Sequence, residues 1–492
     1  MKNFLLICML LWVCSSCSKI LDIKPQTQID LEELFSNEQG FKEALNGVYT
    51  SCAGRDLYGG NLTFGNLDVL AQNYQFASDV NMQNTANFDY YNGTLRGMAY
   101  SVWTNAYKSI ANCNYILAYI DNDTTKFSGT NYSLIKGETI ALRAYLHFDM
   151  LRMFAPSFKS GPTLRGIPFV TQISTTSTPF STVKATLDTL VSELNRAKEL
   201  LKKSDPILLP TYVVGYPSST TGTELKTPDM FLQNRRHRMN YYTVCGELAR
   251  VYLYKGDYTN ALANAEEVIK AKKFLPTKEA DVFQTDVEKK DRIMYNELMT
   301  AWFVDTKNIQ DMLISTYSNS NPSLSGTTSQ VNDIYEIAGP GGEDWRLKQW
   351  FRAQASATGG TERAILLKYV RNAEPLKNMH PLVAPAMRLT EMYYIAAEAS
   401  MDTNPAMAVE YYNTARKMRG IGMTLTNMGS RDNFLNLLMK EARKEFYGES
   451  QMFYMYKRLH ANVVISSTQV KQPSNNVFVF PLPDDENAYR NN

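Results

Sequence analysis

"YYTVCGELARVYLYKGDYTNALANAEEVIKAKKF", residues 241–274, and "EMYYIAAEASMDTNPAMAVEYYNTARKM", residues 391–418, decide the fold. In each, small and apolar residues recur at helical spacing and the run then meets a short turn. A second helical run begins near an alanine. Small residues at such crossings let two antiparallel helices approach closely. One hairpin of this kind leaves an apolar face uncovered, so a neighbour must stack on it.

The spacing is that of a tetratricopeptide repeat. Tyr252, Gly256, Tyr258 and Ala261 fill its Tyr, Gly, Tyr and Ala places in the first copy, and Ala249 fills a small-residue place. Ala396, Ala408, Tyr412 and Ala415 fill matching places in the second. Outward from this weak repeat, helical periodicity continues. Val102, Ala106, Ile110, Cys113, Ile116 and Leu117 form one stripe in residues 99–120. Further helices are expected over about 133–155, ended by Pro156, and over 181–203. Near the start, Leu31, Leu34, Phe35, Phe41, Ala44, Leu45 and Val48 recur at helical spacing with a break near 37–40. Residues 204–233, 315–330 and 353–363 are rich in Pro, Gly, Ser and Thr and read as loops, where binding function often sits. The fold expected is mostly α: tetratricopeptide-like helix pairs forming a scaffold, with long irregular loops and minor β.

The start of the chain reads as an address. Lys2 supplies a positive charge, and Phe4–Val13, "FLLICMLLWV", is an apolar run of ten residues. A bilayer span needs about 20, so this suits a signal-peptide core. Ser15 and Ser16 then precede Cys17 in the manner of a bacterial lipobox, with Cys14 where leucine or valine is usual. The reading is a lipoprotein signal peptide over 1–16, lipidation at Cys17, and one domain over 17–492. That domain divides into packed parts of about 17–230 and 231–492.

Charge and motifs exclude much chemistry. The formal net charge of +2 gives no global field for nucleic acid, and "RRHR" at 235–238 is a lone basic knot. The six cysteines, Cys8, Cys14, Cys17, Cys52, Cys113 and Cys245, show no zinc ligand set. His147, His237, His380 and His460 are not spaced as ligand pairs. No phosphate-binding glycine loop, HExxH or GxSxG is present, and "GPGGEDWR" at 339–346 is a glycine-rich turn. Adjacent acids such as Asp484 and Asp485 are better read as solvated loop charge than as a glycosidase pair. Glu441, Glu445 and Glu449 repeat at i, i+4, which a helix tolerates when cations face them. Arg416, Arg419, Arg443, Lys444, Lys457 and Arg458 are the expected partners in a structural network.

The pieces together resemble the SusD/RagB-like surface lipoproteins of Bacteroidetes. "CSKILDIKP" from Cys17 is similar to the family's cysteine, spacer, Leu-Asp and Pro. "YSVWTNAYKSIANCNYIL" and "GETIALRAYLHFDMLRMFA" with "GIPFV" resemble two of its helices and a following strand. "RLTEMYYIAAEA" with "ARKMRGI", "EARKEFYGESQMFYMYKRL", and "FPLPDDE" with "YRNN" resemble its C-terminal repeat, last helix and ending. The chain departs at Ser450, Met452 and Met455, where Gly, Arg and Asp are common. The resemblance covers nearly the whole chain. It implies a non-enzymatic protein anchored at the outer membrane, facing the cell exterior over a SusC-like TonB-dependent transporter, to which it passes a captured glycan. A peptide-binding member of the same family, or a tetratricopeptide-type interaction scaffold, are the alternatives. No cofactor, metal or nucleic acid is expected.

Sugar rings present C–H faces that pack on aromatics, and hydroxyls that seek amide and carboxylate partners. Residues 71–93 offer Asn73, Tyr74, Asp79, Tyr90 and Tyr91, and residues 300–308 offer Trp302 and Phe303. Tyr317 follows in the next loop. These are the ligand-binding candidates.

Overall fold

A computed structural model describes residues 31–76, 79–355, 360–466 and 468–490. Cys17 and the signal segment lie outside the described residues.

The principal helices are α1 (Glu38–Cys52), α2 (Gly93–Tyr119), α3 (Asn131–Phe154), α4 (Val183–Lys202), α5 (Tyr241–Lys255), α6 (Tyr258–Ala271), α7 (Leu389–Ser400), α8 (Pro405–Lys417), α9 (Arg431–Glu445) and α10 (Met452–Leu459). The strands are short: β1 (Arg165–Pro168), β2 (Phe180–Thr182), β3 (Leu298–Phe303), β4 (Gly326–Thr327), β5 (Phe351–Gln354), β6 (Arg363–Leu366), β7 (Val383–Arg388), β8 (Val463–Val464) and β9 (Val470–Lys471). They pair antiparallel as β1-β2, β3-β7, β4-β6-β5 and β8-β9. The architecture is the mostly α scaffold expected, with minor β.

Local chemistry explains the two repeat hairpins. Gly256 closes α5 at φ +75°, a left-handed conformation that costs glycine little, and the Asp257 side chain caps α6. In the second pair, Asn404 caps α8 and Pro405 occupies its first turn. Ala249, Ala261, Ala396, Ala408 and Ala415 are all fully buried. α3 packs on α4, α5 on α6 and α7 on α8, and α6 packs on α7 to stack one repeat on the next. The break near 37–40 is a helix start, with Asn37 Oδ1 accepting the Gly40 N–H at 3.2 Å.

Buried charge locks the scaffold. "RRHR" is structural: Arg235 donates to Glu138 at 2.6 Å and Asp205 at 2.9 Å, with all three buried. Arg236 pairs with Glu224 at 2.6 Å, and Arg238 with Glu138 at 2.8 Å. Burial pushes the Glu138 carboxyl up, but Arg235 and Arg238 outweigh it and hold the group below the usual carboxylate range. Glu445 bridges Arg346 at 2.9 Å and Arg419 at 2.6 Å, and Glu441 reaches Arg346 at 3.0 Å and Lys444 at 2.9 Å. Glu449 is held by Arg388 and by Lys368, the latter at 2.5 Å. The network is thus present, but Arg346, Lys368 and Arg388 come from distant segments. Arg443 instead donates to Asn73, Lys457 to the Arg152 carbonyl, and Arg458 to Glu398. The glycine-rich turn delivers Asp344, whose side chain caps the next short helix and pairs with Arg346.

Candidate functional site

Residues 90–100 build one wall of an open groove, and the turn that precedes them sets their direction. Asp79 caps the short helix Val80–Ala86, accepting the Met82 N–H at 3.1 Å. Phe88 then takes φ +63°, and Asp89 Oδ1 accepts the Tyr91 N–H at 3.1 Å. Asn92 ends the turn by accepting the N–H groups of Thr94 and Leu95, which starts α2. This turn sends adjacent tyrosines opposite ways. Tyr90 points inward, its ring 4.6 Å from Phe480 and its hydroxyl donating to the Val477 carbonyl at 2.5 Å. Tyr91 points outward and is 82% exposed.

Gly93, Arg96, Gly97 and Tyr100 continue the wall at helical spacing, and Tyr100 is 51% exposed. The facing wall is 481–485, from Pro481 to Asp485, carried by Phe480, whose N–H donates to the Met153 carbonyl at 3.0 Å. Arg96 and Asp484 pair across the opening, both exposed. The groove has a volume of ≈ 340 Å³. A Cβ added at Gly93 or Gly97 would meet nothing within 4 Å, so the floor is bare helix backbone facing open space. Two exposed phenol rings, a guanidinium and two carboxylates around such a floor can stack on a ring and hydrogen-bond its substituents.

Of the sequence candidates, Tyr91 and Tyr90 line this groove, Tyr90 by its buried edge. Asp79 serves as the helix cap described above. Asn73, Tyr74 and Tyr317 belong instead to a buried cluster. Asn73 Oδ1 accepts from Arg443 at 3.0 Å, its carbonyl accepts from Tyr447, and Tyr74 donates to Asp68 at 3.2 Å. The Tyr74 ring lies 6.3 Å from that of Tyr317. Burial pushes Asp68 up to about 7, opposed by the Gly448 and Ser450 N–H groups. Trp302 and Phe303 are split by strand alternation: Trp302 is 2% exposed and stacks on Tyr58 at 4.4 Å, whereas Phe303 is 53% exposed, outside the groove.

Arg96, Tyr100 and Asp484 were not among the candidates. Tyr100 sits off the apolar stripe of α2, at helical spacing from Arg96 and Gly97, so its exposure was readable. The pairing with residue 484 was not, because it joins opposite ends of the chain. Among the described residues no cluster of His, Cys, Asp or Glu is arranged to hold a metal ion. Cys52, Cys113 and Cys245 are buried free thiols.

Comparison with known proteins agrees along the length of the chain. The profile of a family described as "Starch-binding associating with outer membrane" matches residues 19–216, and that of the SusD family matches residues 239–480. Comparison with curated proteins gives no match. Among solved structures, a putative sugar binding protein from Bacteroides vulgatus superposes with a TM-score of 0.71 at 22% identity, covering 92% of this chain and 96% of that one. A SusD-like carbohydrate binding protein from the same species gives 0.70 at 18% identity, covering 93% and 97%. A SusD superfamily protein from Bacteroides thetaiotaomicron gives 0.69 at 19% identity, covering 92% and 98%. At these identities the superpositions show a shared fold.

Proposed function

The chain belongs to the SusD/RagB-like family, whose membership implies glycan binding for nutrient uptake, and from that premise we propose that the Tyr91–Tyr100 groove is where this protein holds an oligosaccharide or polysaccharide. The observation that carries this reading is the pair of exposed tyrosines beside the Arg96–Asp484 pair, over a floor of bare backbone. Aromatic rings stack on sugar C–H faces, and the charged groups hydrogen-bond the hydroxyls. Phe303, also exposed, is a second contact for a long glycan, while the burial of Trp302, Tyr74, Tyr317 and Asn73 gives those residues a packing role beneath the surface. The captured glycan passes to a SusC-like TonB-dependent transporter in the outer membrane. A lipid on Cys17 anchors the protein there, facing the cell exterior. No helix among the described residues is long and apolar enough to cross a membrane.

A glycan and peptide array probed with residues 18–492 tests the ligand class. A polysaccharide hit is expected, weakened by about 1 kcal/mol or more in Tyr91→Ala if that ring is a binding hot spot. A hit on peptides alone replaces the glycan reading with the peptide one, and an unchanged affinity in Tyr91→Ala removes the groove. Cys17→Ser is expected to release the protein from membranes, and its retention there overturns the anchor.

A further inference from the structure

The charges that line the surface groove do not balance. They are Arg96, Asp484 and Asp485, one cation against two carboxylates. Arg96 and Asp484 neutralise each other across the opening. Asp485 is exposed and has no hydrogen-bond or ion-pair partner among the described residues. It stands in the first turn of the short helix Asp484–Arg490, where free N–H groups favour an acid, so the helix start holds the carboxylate without pairing its charge. Two further acids lie beside the lining residues: exposed Asp89 accepts the Tyr91 N–H, and half-buried Glu486 accepts from Trp103 at 3.4 Å.

The aromatic side of the groove carries the same preference. Tyr91 and Tyr100 are both exposed, and among the described residues no ring stacks on either and no cation lies over either. A phenol face is the negative side of the ring quadrupole, so an open one attracts a cation. An ammonium in the groove gains from these rings and from Asp485. A neutral hydroxyl gains only hydrogen bonds, and a carboxylate or sulfate meets like charge. On the premise that the groove is the glycan site, we infer that it selects a glycan with free amino groups, a chain of amino sugars, over neutral and anionic chains, and that Asp485 sets this choice.

Calorimetric titration of the full chain in detergent tests this, at about pH 6, where amines are protonated and ordinary carboxylates ionised. The probes are chitosan pentaose, its fully N-acetylated form, and pentagalacturonate. The first two share one backbone and differ in the acetyl groups that remove the charge. Wild type is expected to bind the free-amine chain about three- to fivefold more tightly than the acetylated one, the scale of one exposed ion pair, and pentagalacturonate most weakly. Added salt is expected to narrow the gap. Asp485→Asn is expected to close it at constant salt, and Asp485→Lys to place pentagalacturonate above the free-amine chain. Equal affinity of wild type for the free-amine and acetylated chains overturns the selection, as does binding of neither. A gap that survives Asp485→Asn also overturns it and leaves Asp485 a role at the helix start alone. Affinities that Tyr91→Ala leaves unchanged place the glycan outside the groove and remove the premise as well. An array hit on another glycan, weakened by Tyr91→Ala, keeps the groove and removes only the amine.

Discussion

Around Arg346, the guanidinium meets Asp344 at 2.7 Å, Glu441 at 3.0 Å and Glu445 at 2.9 Å, and all four side chains are buried. At the surface groove, Arg96 and Asp484 form one pair in the open, between two exposed tyrosines. The residue types are the same and their roles are opposite. Inside, every charge is committed to a protein partner, and losing one strands the others in low dielectric. Outside, water screens the pair, so it adds little to stability and its atoms stay available to a ligand. Tyrosine follows the same division, with Tyr90 tied to Val477 and Tyr91 free at the groove.

The largest break in this contrast is Arg346→Met. It leaves Asp344, Glu441 and Glu445 facing one another without their shared cation. A loss of about 3–5 kcal/mol is expected in denaturant unfolding. A loss below about 1 kcal/mol, the range of exposed pairs, would erase the distinction between the two regions.

Next in size is a pH effect carried by His147. Its Nδ1–H donates to the Arg143 carbonyl at 2.8 Å and its Nε2 accepts the Val170 N–H at 3.0 Å, and an accepting Nε2 requires the neutral form. Burial pulls its pKa down from 6.5 to about 3. Between those values the unfolded chain binds the proton and the folded chain does not. Stability from this group is therefore complete above 6.5 and is lost as pH falls toward about 3, by about 1.4 kcal/mol per pH unit. Asp68 and Glu247, both pushed up to about 7 by burial, act with the opposite sign as pH falls. The quantity to measure is thus the difference in slope between wild type and His147→Gln from pH 6.5 to about 5, above the ordinary carboxylate range. The variant is expected to lose less stability on acidification, and equal slopes would remove His147 as the carrier.

The smallest effect sharpens the groove side. Gly97→Ala adds a methyl that meets nothing within 4 Å. In the interior of α2 it is expected to raise stability by about 0.5–1 kcal/mol. The same methyl shallows the groove floor, so glycan affinity is expected to fall while Tm rises. If stability and affinity rise together, the ligand does not approach that backbone.

Much of the scaffold was legible because its signals are local. The alanines of the two repeats, the Gly256 turn and the apolar stripe of α2 each act within a few residues, and helical periodicity reports them directly. Asn37 could be read as a break for the same reason. The candidate site was legible only in part. The 71–93 stretch was singled out as aromatic and amide-rich, but composition does not tell Tyr90 from Tyr91. The reversal between them depends on the Phe88 turn and on where Phe480 docks. Trp302 and Phe303 show the same limit on a strand.

By itself the sequence determined the helix pairs, their stacking, the absence of familiar catalytic and metal motifs, and a residue set suited to sugars. These follow from neighbours three, four or seven positions apart, where chain connectivity already sets the geometry. The tertiary structure alone decided which aromatics face water, and that Arg346, Arg388 and Lys368 would meet the glutamates of the 441–449 stretch. It also alone brought Asp484 to Arg96. Those outcomes depend on burial and on contacts between segments 61 to 388 residues apart, which no local pattern encodes.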